Sequence, residues 1–211
     1  MNPREHWENV YRTKLPDQVS WYCAHLQTSL AWVERAAGCP SAAIIDVGGG
    51  ACTLVDDLIQ RNFQNLTVLD VSDTALQMAR RRLGARAESV RWLCADVTQA
   101  VLPPHSYDVW HDRAVFHFLT SPEQRRAYIL NACVALKTGG HVIIATFGPE
   151  GPTRCSGLDT MRYDAASLAA EWGPGFHLAD TAIELHHTPA GGTQQFLYCD
   201  FLCCAAMCPA A

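Results

Sequence analysis

A short apolar segment that runs into three consecutive glycines constrains this chain more than any other feature. Residues 42–47 have the composition of a buried strand, glycines occupy positions 48–50, and residues 54–59 favour a helix. Glycine lets a backbone approach a ligand closely, and the first turn of a helix offers unpaired N–H groups. The segment therefore predicts a strand–turn–helix unit that binds a nucleotide-like ligand.

Composition narrows the class of protein. The chain has 211 residues, 49% of them hydrophobic, a formal net charge of −5 and a pI near 5.9. That balance is typical of a globular α/β domain and argues against a nucleic-acid-binding surface. No run approaches the roughly 18 apolar residues of a membrane span, and the first residues lack an apolar signal core. We therefore expect a cytoplasmic protein with no membrane or nucleic-acid partner.

Strands and helices alternate after the glycine turn. Further strands are predicted at residues 65–70, 90–94, 107–111 and 141–147, with helices at 75–83 and 122–136. Such alternation gives a parallel sheet with right-handed crossovers. The segments 176–187 and 193–202 alternate in polarity around a Pro- and Gly-containing turn, which predicts a closing antiparallel hairpin.

Acidic and basic side chains follow several of these strands. Asp70 ends the second strand about 20 residues after the glycines, the usual place for a carboxylate that binds ribose hydroxyls. Asp96 follows the third strand, where it is placed to accept a hydrogen bond from the amine of a base. His111, Asp112 and Arg113 end the fourth strand. Because the carboxyl ends of parallel strands share one edge, these residues predict one ligand site.

The order of these features resembles the class I S-adenosylmethionine-dependent methyltransferases. The resemblance is carried by Asp46-Val47-Gly48-Gly49-Gly50, Leu69-Asp70-Val71-Ser72, Ala95-Asp96-Val97 and Lys137-Thr138-Gly139-Gly140-His141-Val142-Ile143. It implies a Rossmann-like α/β fold: a seven-stranded, mostly parallel sheet with helices on both faces and a terminal antiparallel hairpin. It also implies S-adenosyl-L-methionine as the cofactor. Some features look similar to small bacterial methyltransferases and to the branch that includes citrate synthase-type lysine methyltransferases.

The resemblance assigns cofactor-binding roles residue by residue. It places the methionine part of the cofactor over the glycine turn, the ribose beside Asp70 and the adenine beside Asp96. The residues expected to bind the cofactor are Asp46, Gly48, Gly50, Asp70, Val71, Asp96, Val97, Trp7 and Tyr11. The family often has a glycine or a small hydroxyl residue near position 52, where this chain has Cys52.

One domain, residues 1–211, is expected to contain three parts. Residues 1–40 form an amphipathic helical cap in two helices separated by Pro16, residues 41–147 form the cofactor-binding core, and residues 148–211 form an acceptor-side loop and the closing hairpin. The aromatic side chains of the cap either close over the ligand or pack on the sheet.

Residues near the reacting methyl group are inferred from their position at strand ends. His111 and Asp112 are the candidate catalytic residues, although a hydrogen-bonded core position is the alternative for His111. Candidate substrate-binding residues are Arg113, Cys155, His187 and Trp21. The spacing of the ten cysteines matches no structural zinc site, so no metal is expected.

Three acceptor classes fit the sequence. The first is an amine, either a protein lysine or a small amine. The second is a thiol, selenium or arsenic acceptor, with Cys155 and a C-terminal cysteine group as soft ligands: Cys199, Cys203, Cys204 and Cys208. The third is a small carboxylate or amine metabolite. The acceptor is thus a small molecule or a protein, and the sequence does not define the oligomeric state.

Two functions of other classes compete with methyl transfer. A nicotinamide-dependent oxidoreductase would favour a G-x-G-x-x-G turn, but this chain has Thr53 at the position of the last glycine. A non-catalytic cofactor-binding module is the other alternative. The second strand-end acid and the closing hairpin favour methyl transfer over the oxidoreductase.

Overall fold

The computed structural model describes residues 3–204, in which helices flank one large sheet. The helices are α1 (Pro3–Thr13), α2 (Gln27–Ala37), α3 (Leu54–Gln60), α4 (Asp73–Leu83), α5 (Pro122–Ala135) and α6 (Ala165–Trp172). The strands are β1 (Ala43–Val47), β2 (Asn65–Asp70), β3 (Val90–Cys94), β4 (Tyr107–Arg113), β5 (Leu136–Phe147), β6 (Arg154–Cys155), β7 (Leu158–Asp159), β8 (Phe176–His187) and β9 (Thr193–Cys203). Short 3-10 turns span Pro16–Gln18, Gly84–Ser89 and Phe116–Phe118.

Seven strands form the main sheet in the order β3-β2-β1-β4-β5-β9-β8. β1 to β5 run parallel, whereas β9 pairs antiparallel with both β5 and β8. The chain moves outward from β1 in one direction through β2 and β3, and in the other through β4 and β5. Ligands bind where the strand order reverses in this way. The predicted Rossmann-like fold with a closing hairpin is confirmed.

Adjacent residues of β1 send their side chains to opposite faces of the sheet. Ile44 packs in a core cluster with residues of α2, α3 and α4, while Ile45 packs in a cluster with residues of α5 and α6. Both isoleucines are fully buried. Burial on two faces explains why the central strands have continuous apolar composition.

Local capping explains where the helix after β2 begins. The Ser72 hydroxyl accepts a hydrogen bond from the backbone N–H of Ala75 at 3.2 Å, as expected for an N-cap residue. Asp73 lies in the first turn and three arginines lie in the last, which suits the helix dipole. The strand predictions at 65–70 and 90–94 are confirmed residue for residue.

The segment between the two cap helices departs from the sequence prediction. The aromatic residues Trp21 and Tyr22 were expected on the second helix, but α2 begins at Gln27. The backbone N–H of Tyr22 instead donates to the Val19 carbonyl in a turn, and the Trp21 carbonyl accepts from the side chain of Arg113. The local turn and the long-range bond from Arg113 hold the segment beside the cavity, so the apolar spacing around Trp21 reflects the cavity wall and not a helix.

A small hairpin, β6–β7, occupies the segment predicted as a long loop. Its two tip residues, Ser156 and Gly157, have φ values of 50° and 81°. Two consecutive left-handed residues are typical of the tight type I′ turn, and glycine adopts that conformation without a steric penalty. In the part of the chain that the structure describes, no helix is long and apolar enough to cross a membrane.

Candidate functional site

A cavity of about 380 Å³ lies at the carboxyl ends of β1, β2 and β4, beneath α1. A smaller cavity of about 50 Å³ lies under the glycine turn. The two cavities share five wall residues: Tyr11, Trp21, Val47, Gly48 and Arg113. They therefore meet at the switch point of the sheet.

Close packing explains the three glycines of the turn. Gly48 has a φ of 70° and donates its N–H to the Leu69 carbonyl at 2.7 Å. A Cβ at position 48 would overlap the side chain of Val115, and one at position 49 would overlap the Asp46 carboxylate. A Cβ at Gly50 would lie 2.6 Å from an oxygen of Asp70. The turn thus keeps this conformation against Val115, Asp46 and Asp70 only when all three positions lack a side chain.

Asp46 and His111 form a buried pair on neighbouring strands. The two residues lie opposite each other between β1 and β4, and His111 Nδ1–H donates to Asp46 Oδ1 at 2.7 Å. Both line the smaller cavity. Asp46 Oδ2 and His111 Nε2 are buried with no hydrogen-bond partner. In the neutral tautomer with its proton on Nδ1, His111 presents Nε2 as an acceptor, so two acceptors suit a cationic donor.

Asp70 lies on the wall of the larger cavity, at the end of β2. Its Oδ1 accepts from the backbone N–H of Ser72 at 2.8 Å. Burial, with smaller contributions from Asp46 and Glu8, raises the pKa of Asp70 to about 7. A buried carboxylate facing a cavity without a cationic partner suits a neutral hydroxyl donor.

Three other predicted residues lie along the same wall. Asp96, Val97 and Val71 line the larger cavity with Asp70. Asp96 Oδ1 accepts from the backbone N–H and the hydroxyl of Thr98, at 2.8 and 2.7 Å. One oxygen accepts both bonds, and they fix the carboxylate just after the carboxyl end of β3. The structure therefore brings together the residues predicted for the ribose and base ends of a cofactor.

Aromatic side chains from the cap form the roof of the larger cavity. Trp7, Tyr11 and Trp21 all line it. The ring centroid of Trp7 lies 5.6 Å from that of Trp21 and 5.1 Å from that of Phe118, both with edge-to-face geometry. Of the two expectations for these rings, closure over the ligand site agrees with this arrangement.

Glu8 fastens the roof to the core, a role that the sequence did not indicate. Its Oε1 accepts from the backbone N–H groups of Asp73 and Thr74 at 2.6 and 3.3 Å, and Oε2 accepts from the Thr74 hydroxyl. These N–H groups lie at the start of α4, where the helix dipole favours an anion. The helix already has a local N-cap in Ser72, so the sequence around α4 gives no sign that a carboxylate 65 residues away also binds its first turn.

The wall farther from Asp96 is built from one cation, one imidazole and phenyl rings. The guanidinium carbon of Arg113 lies 4.3 Å from the ring centroid of Phe196. His117 stacks on Phe147 with a centroid distance of 4.2 Å. All four residues line the larger cavity, as does the buried thiol of Cys155. In the sequence, His117 belongs to a segment, residues 111–117, that could form an acceptor pocket, although a core position is favoured for it; the 3-10 turn after β4 places it in the cavity wall.

Asp112 lines neither cavity, which contradicts its predicted role as a catalytic residue in contact with substrate. Its Oδ1 accepts from the N–H of Val115 at 2.8 Å, and its Oδ2 accepts from the N–H of Phe116 at 3.0 Å and the hydroxyl of Tyr128 at 2.5 Å. The side chain is fully buried. These bonds turn the carboxylate away from the site and make it the cap of the following turn.

His187 also lies away from the cavity, which contradicts its expected substrate contact. Successive residues of β8 point to opposite faces, so His187 is exposed while His186 is buried. His186 donates from Nε2 to the Ser20 carbonyl at 2.8 Å and so ties β8 to the cap segment. The inward-facing histidine is thus one residue earlier than predicted.

The thiols near the site are protonated. Burial raises the pKa of Cys155, and burial together with Asp46 raises the pKa of Cys52 to about 12. Cys52 lines the smaller cavity. Cys199 and Cys203 pack in the core, and Cys208 lies outside the described residues. Within residues 3–204, no group of three or more cysteine, histidine or acidic side chains is arranged to hold a metal.

Comparisons with known proteins agree with this geometry. A family model described as "Methyltransferase domain" matches residues 44–140. The EEF1A lysine methyltransferase 2 of Danio rerio is 22% identical over 160 residues, 69% of each chain. The eEF1A lysine and N-terminal methyltransferase of Mus musculus is 22% identical over 120 residues, which cover 57% of this chain and 17% of that protein. The chain therefore spans less than a fifth of that relative.

Solved structures share the fold over nearly the whole chain. One, reported for the conversion of a disulfide bond into a thioacetal group during echinomycin biosynthesis, has a TM-score of 0.79 at 18% identity and covers 97% of this chain and 93% of its own. The 1,6-didemethyltoxoflavin-N1-methyltransferase of Burkholderia thailandensis has a TM-score of 0.72 at 18% identity, with 95% and 87% covered, and was solved with S-adenosylhomocysteine.

Fold and site together define a nucleoside-cofactor-binding protein of the open α/β class. The matching domain model makes the identification more specific: residues 44–140 are a methyltransferase domain, and the fold is that of S-adenosylmethionine-dependent methyltransferases.

The described residues fit S-adenosyl-L-methionine as cofactor. The backbone of Gly48 and Gly49 lines the cavities without a side chain, and the free acceptors of Asp46 and His111 suit an ammonium group. Asp70 suits ribose hydroxyls, and Asp96 and Val97 line the part of the cavity expected to hold the base. This cofactor has no pyrophosphate, so the site does not need the last glycine of a G-x-G-x-x-G turn, where this chain has Thr53.

Proposed function

We propose that this chain transfers a methyl group from S-adenosyl-L-methionine to an acceptor that binds in the larger cavity between the cofactor end and the Arg113–Phe196 wall. The observation that supports this most is the continuity of one cavity. It runs from Asp70 and Asp96, through the glycine turn, to His117 and Cys155. Cofactor and acceptor would therefore share one space, as direct transfer requires.

The residues of the chain contribute by binding, orientation and exclusion of water. The cofactor supplies a methyl group on a sulfonium, so the attacking atom forms the new bond to carbon as the electron pair of the carbon–sulfur bond passes to sulfur. Asp46 and His111 would hold the amino-acid end, and Asp70 the ribose. The roof of Trp7, Tyr11 and Trp21 would keep water out, and fixed geometry in a dry site can account for most of the acceleration.

Two classes of methyl acceptor have support, an amine and a thiol or metalloid. The relatives are lysine and N-terminal methyltransferases, which supports an amine acceptor, either on a protein lysine or on an N-terminus. A thiol or metalloid acceptor has Cys155 in the cavity wall as its support, although the raised pKa of that thiol counts against a soft-ligand role. A cytoplasmic location stays a prediction.

A turnover assay tests the proposed function directly. Purified protein is incubated with S-adenosyl-L-methionine and separate pools of proteins, amines, thiols and carboxylic acids, and S-adenosylhomocysteine release is measured. We expect release above background with at least one pool and none with the Asp70→Ala variant. Tight cofactor binding with no release for any pool would favour a non-catalytic binding module.

Cofactor binding is expected to weaken in acid. Because the pKa of Asp70 is raised to about 7, this carboxyl becomes protonated in the free protein as the pH falls below that value. The protonated form loses acceptor capacity toward the ribose hydroxyls, so the Kd for S-adenosylhomocysteine should rise about tenfold per pH unit between pH 7 and pH 5. Calorimetry on wild type and Asp70→Asn checks this, since the variant should show a flat profile over that range.

Removing the Glu8 contact is expected to speed cofactor exchange. In Glu8→Gln the neutral amide loses the charge-assisted bonds to the start of α4, so the dissociation rate of S-adenosylhomocysteine should rise about fivefold to tenfold. Stopped-flow fluorescence of the roof tryptophans measures the rate. Glu5→Gln, on the same helix and exposed, is the matched control and should leave the rate unchanged.

A further inference from the structure

Arg113 is a buried cation with little counter-charge. Its side chain is 5% exposed, and its Nη2 lies 3.5 Å from Glu184 Oε1, a long distance for an ion pair. Nη1 donates to the Trp21 carbonyl at 3.2 Å, the guanidinium also donates to the neutral hydroxyl of Tyr198, and Nε is buried without a partner. A buried charge is costly unless it is paired, so a guanidinium in a ligand cavity indicates an anionic ligand.

His117 adds a neutral donor beside this cation. Its Nδ1 accepts the backbone N–H of Phe147 at 3.1 Å, so the ring proton sits on Nε2. Nε2 is buried and has no hydrogen-bond partner. Burial, together with the charge of Arg113, lowers the pKa of His117 to about 3, so the ring stays neutral at physiological pH. The residue can donate one hydrogen bond to a ligand and cannot act there as a base.

The acids on the cavity wall lie elsewhere. Asp70 and Asp96 stand at the cofactor end, and Asp159 stands on the β6–β7 hairpin, where it pairs with Arg154 at 3.1 Å. Asp46 lines the smaller cavity, where one of its oxygens accepts from His111. Among the described residues, the part of the larger cavity's wall around Arg113 and His117 therefore has donors and no carboxylate other than the exposed Asp159. This arrangement disfavours a lysine side chain held by its charge.

We propose that the methyl acceptor is anchored by a carboxylate, which Arg113 and the Nε2–H of His117 bind together while a different atom of the same molecule takes the methyl group. This inference rests on the proposed function and narrows it to carboxylic acids, including amino acids and other amine-bearing acids. The phenyl rings of Phe147 and Phe196 flank the two donors and would contact the apolar part of the acceptor.

Binding of matched fragments to the cofactor-product complex tests the anchor. Protein saturated with S-adenosylhomocysteine is titrated with benzoate, benzamide and benzylamine, followed by calorimetry. We expect benzoate to bind about tenfold or more tightly than benzamide, and benzylamine not to bind measurably. Arg113→Gln should remove the preference for benzoate, and Arg154→Gln, an exposed arginine on the hairpin, should retain it.

A second readout follows His117 without any substitution. In ¹⁵N-histidine spectra, the Nε2-protonated tautomer should be seen in the free protein, and its Nε2–H resonance should shift when benzoate is added. An unshifted resonance, or benzamide binding as tightly as benzoate, would overturn the carboxylate anchor.

The carboxylate of the cofactor itself is the competing anion, because Arg113 also borders the smaller cavity. S-adenosylhomocysteine and 5′-methylthioadenosine, which lacks the amino-acid part, separate the two cases. If Arg113→Gln weakens binding of the former more than about tenfold and leaves the latter unchanged, Arg113 serves the cofactor and the proposal is wrong. If wild type binds neither nucleoside, the proposed function fails before the acceptor is addressed.

Discussion

Replacing Asp70 with alanine is expected to raise the Kd for S-adenosylhomocysteine about 100-fold or more. Each hydrogen bond from a ribose hydroxyl to a charged acceptor is worth about 1.5–3 kcal/mol, so losing two costs about 3 kcal/mol or more. The fold should survive, because the side chain accepts only from the neighbouring backbone of Val71 and Ser72, and no cation of the described residues pairs with the carboxylate. Isothermal titration calorimetry measures the affinity, and thermal unfolding confirms that the variant is folded.

Asp180→Asn provides the matched control. Asp180 lies on β8 outside both cavities, its side chain is 45% exposed, and it pairs with Arg35. The substitution should leave the Kd within about twofold of wild type, since an exposed pair contributes little. A folded Asp70→Ala variant with wild-type affinity would mean that the ribose does not lie against β2.

Replacing Asp112 with alanine is expected to lower the free energy of unfolding by about 3–5 kcal/mol at pH 5. The change strands the hydroxyl of Tyr128 and the N–H groups of Val115 and Phe116 in a fully buried site, and each unsatisfied group costs about 1–3 kcal/mol. Urea unfolding at fixed temperature measures the loss. Affinity for S-adenosylhomocysteine in the remaining folded protein should stay near that of wild type.

The loss should be smaller at pH 8. Burial raises the pKa of Asp112 to about 6, above its value in the unfolded chain, so the folded state binds the proton more tightly. The stabilising contribution of the carboxyl is therefore complete below about pH 4, the pKa of an unfolded aspartate, and declines as the pH rises from there to about 6. A large effect on turnover with unchanged stability would instead restore Asp112 as a catalytic residue.

Features that depend on local chemistry were predictable from the sequence. The glycine run at 48–50, the Ser72 cap and the acids at the ends of β2 and β3 can each be recognised from their near neighbours in the chain or from the strand that they end. The parallel order then follows from the alternation of strands and helices, which leaves few ways to connect them. The sequence alone therefore predicts that Asp70 and Asp96 lie at the same edge of the sheet, where the parallel strands end.

Features that depend on distant contacts were not predictable. Whether His186 or His187 faces inward is decided by the pleat and register of β8, and a shift of one residue reverses the answer. Glu8 caps a helix far along the chain, and the role of His117 depends on a backbone N–H donated by Phe147. Asp112 looks like a catalytic acid in sequence because nothing local reveals that the next turn uses both of its oxygens.

The β6–β7 hairpin has a consequence for how such an enzyme can diversify. Its two strands pair only with each other, apart from the main sheet, yet Cys155, Leu158 and Asp159 form part of the cavity wall. Substitutions within this six-residue insert can reshape the chamber while the main sheet and the glycine turn stay intact. Laboratory selection for altered acceptor range would therefore be most economical if confined to residues 154–159.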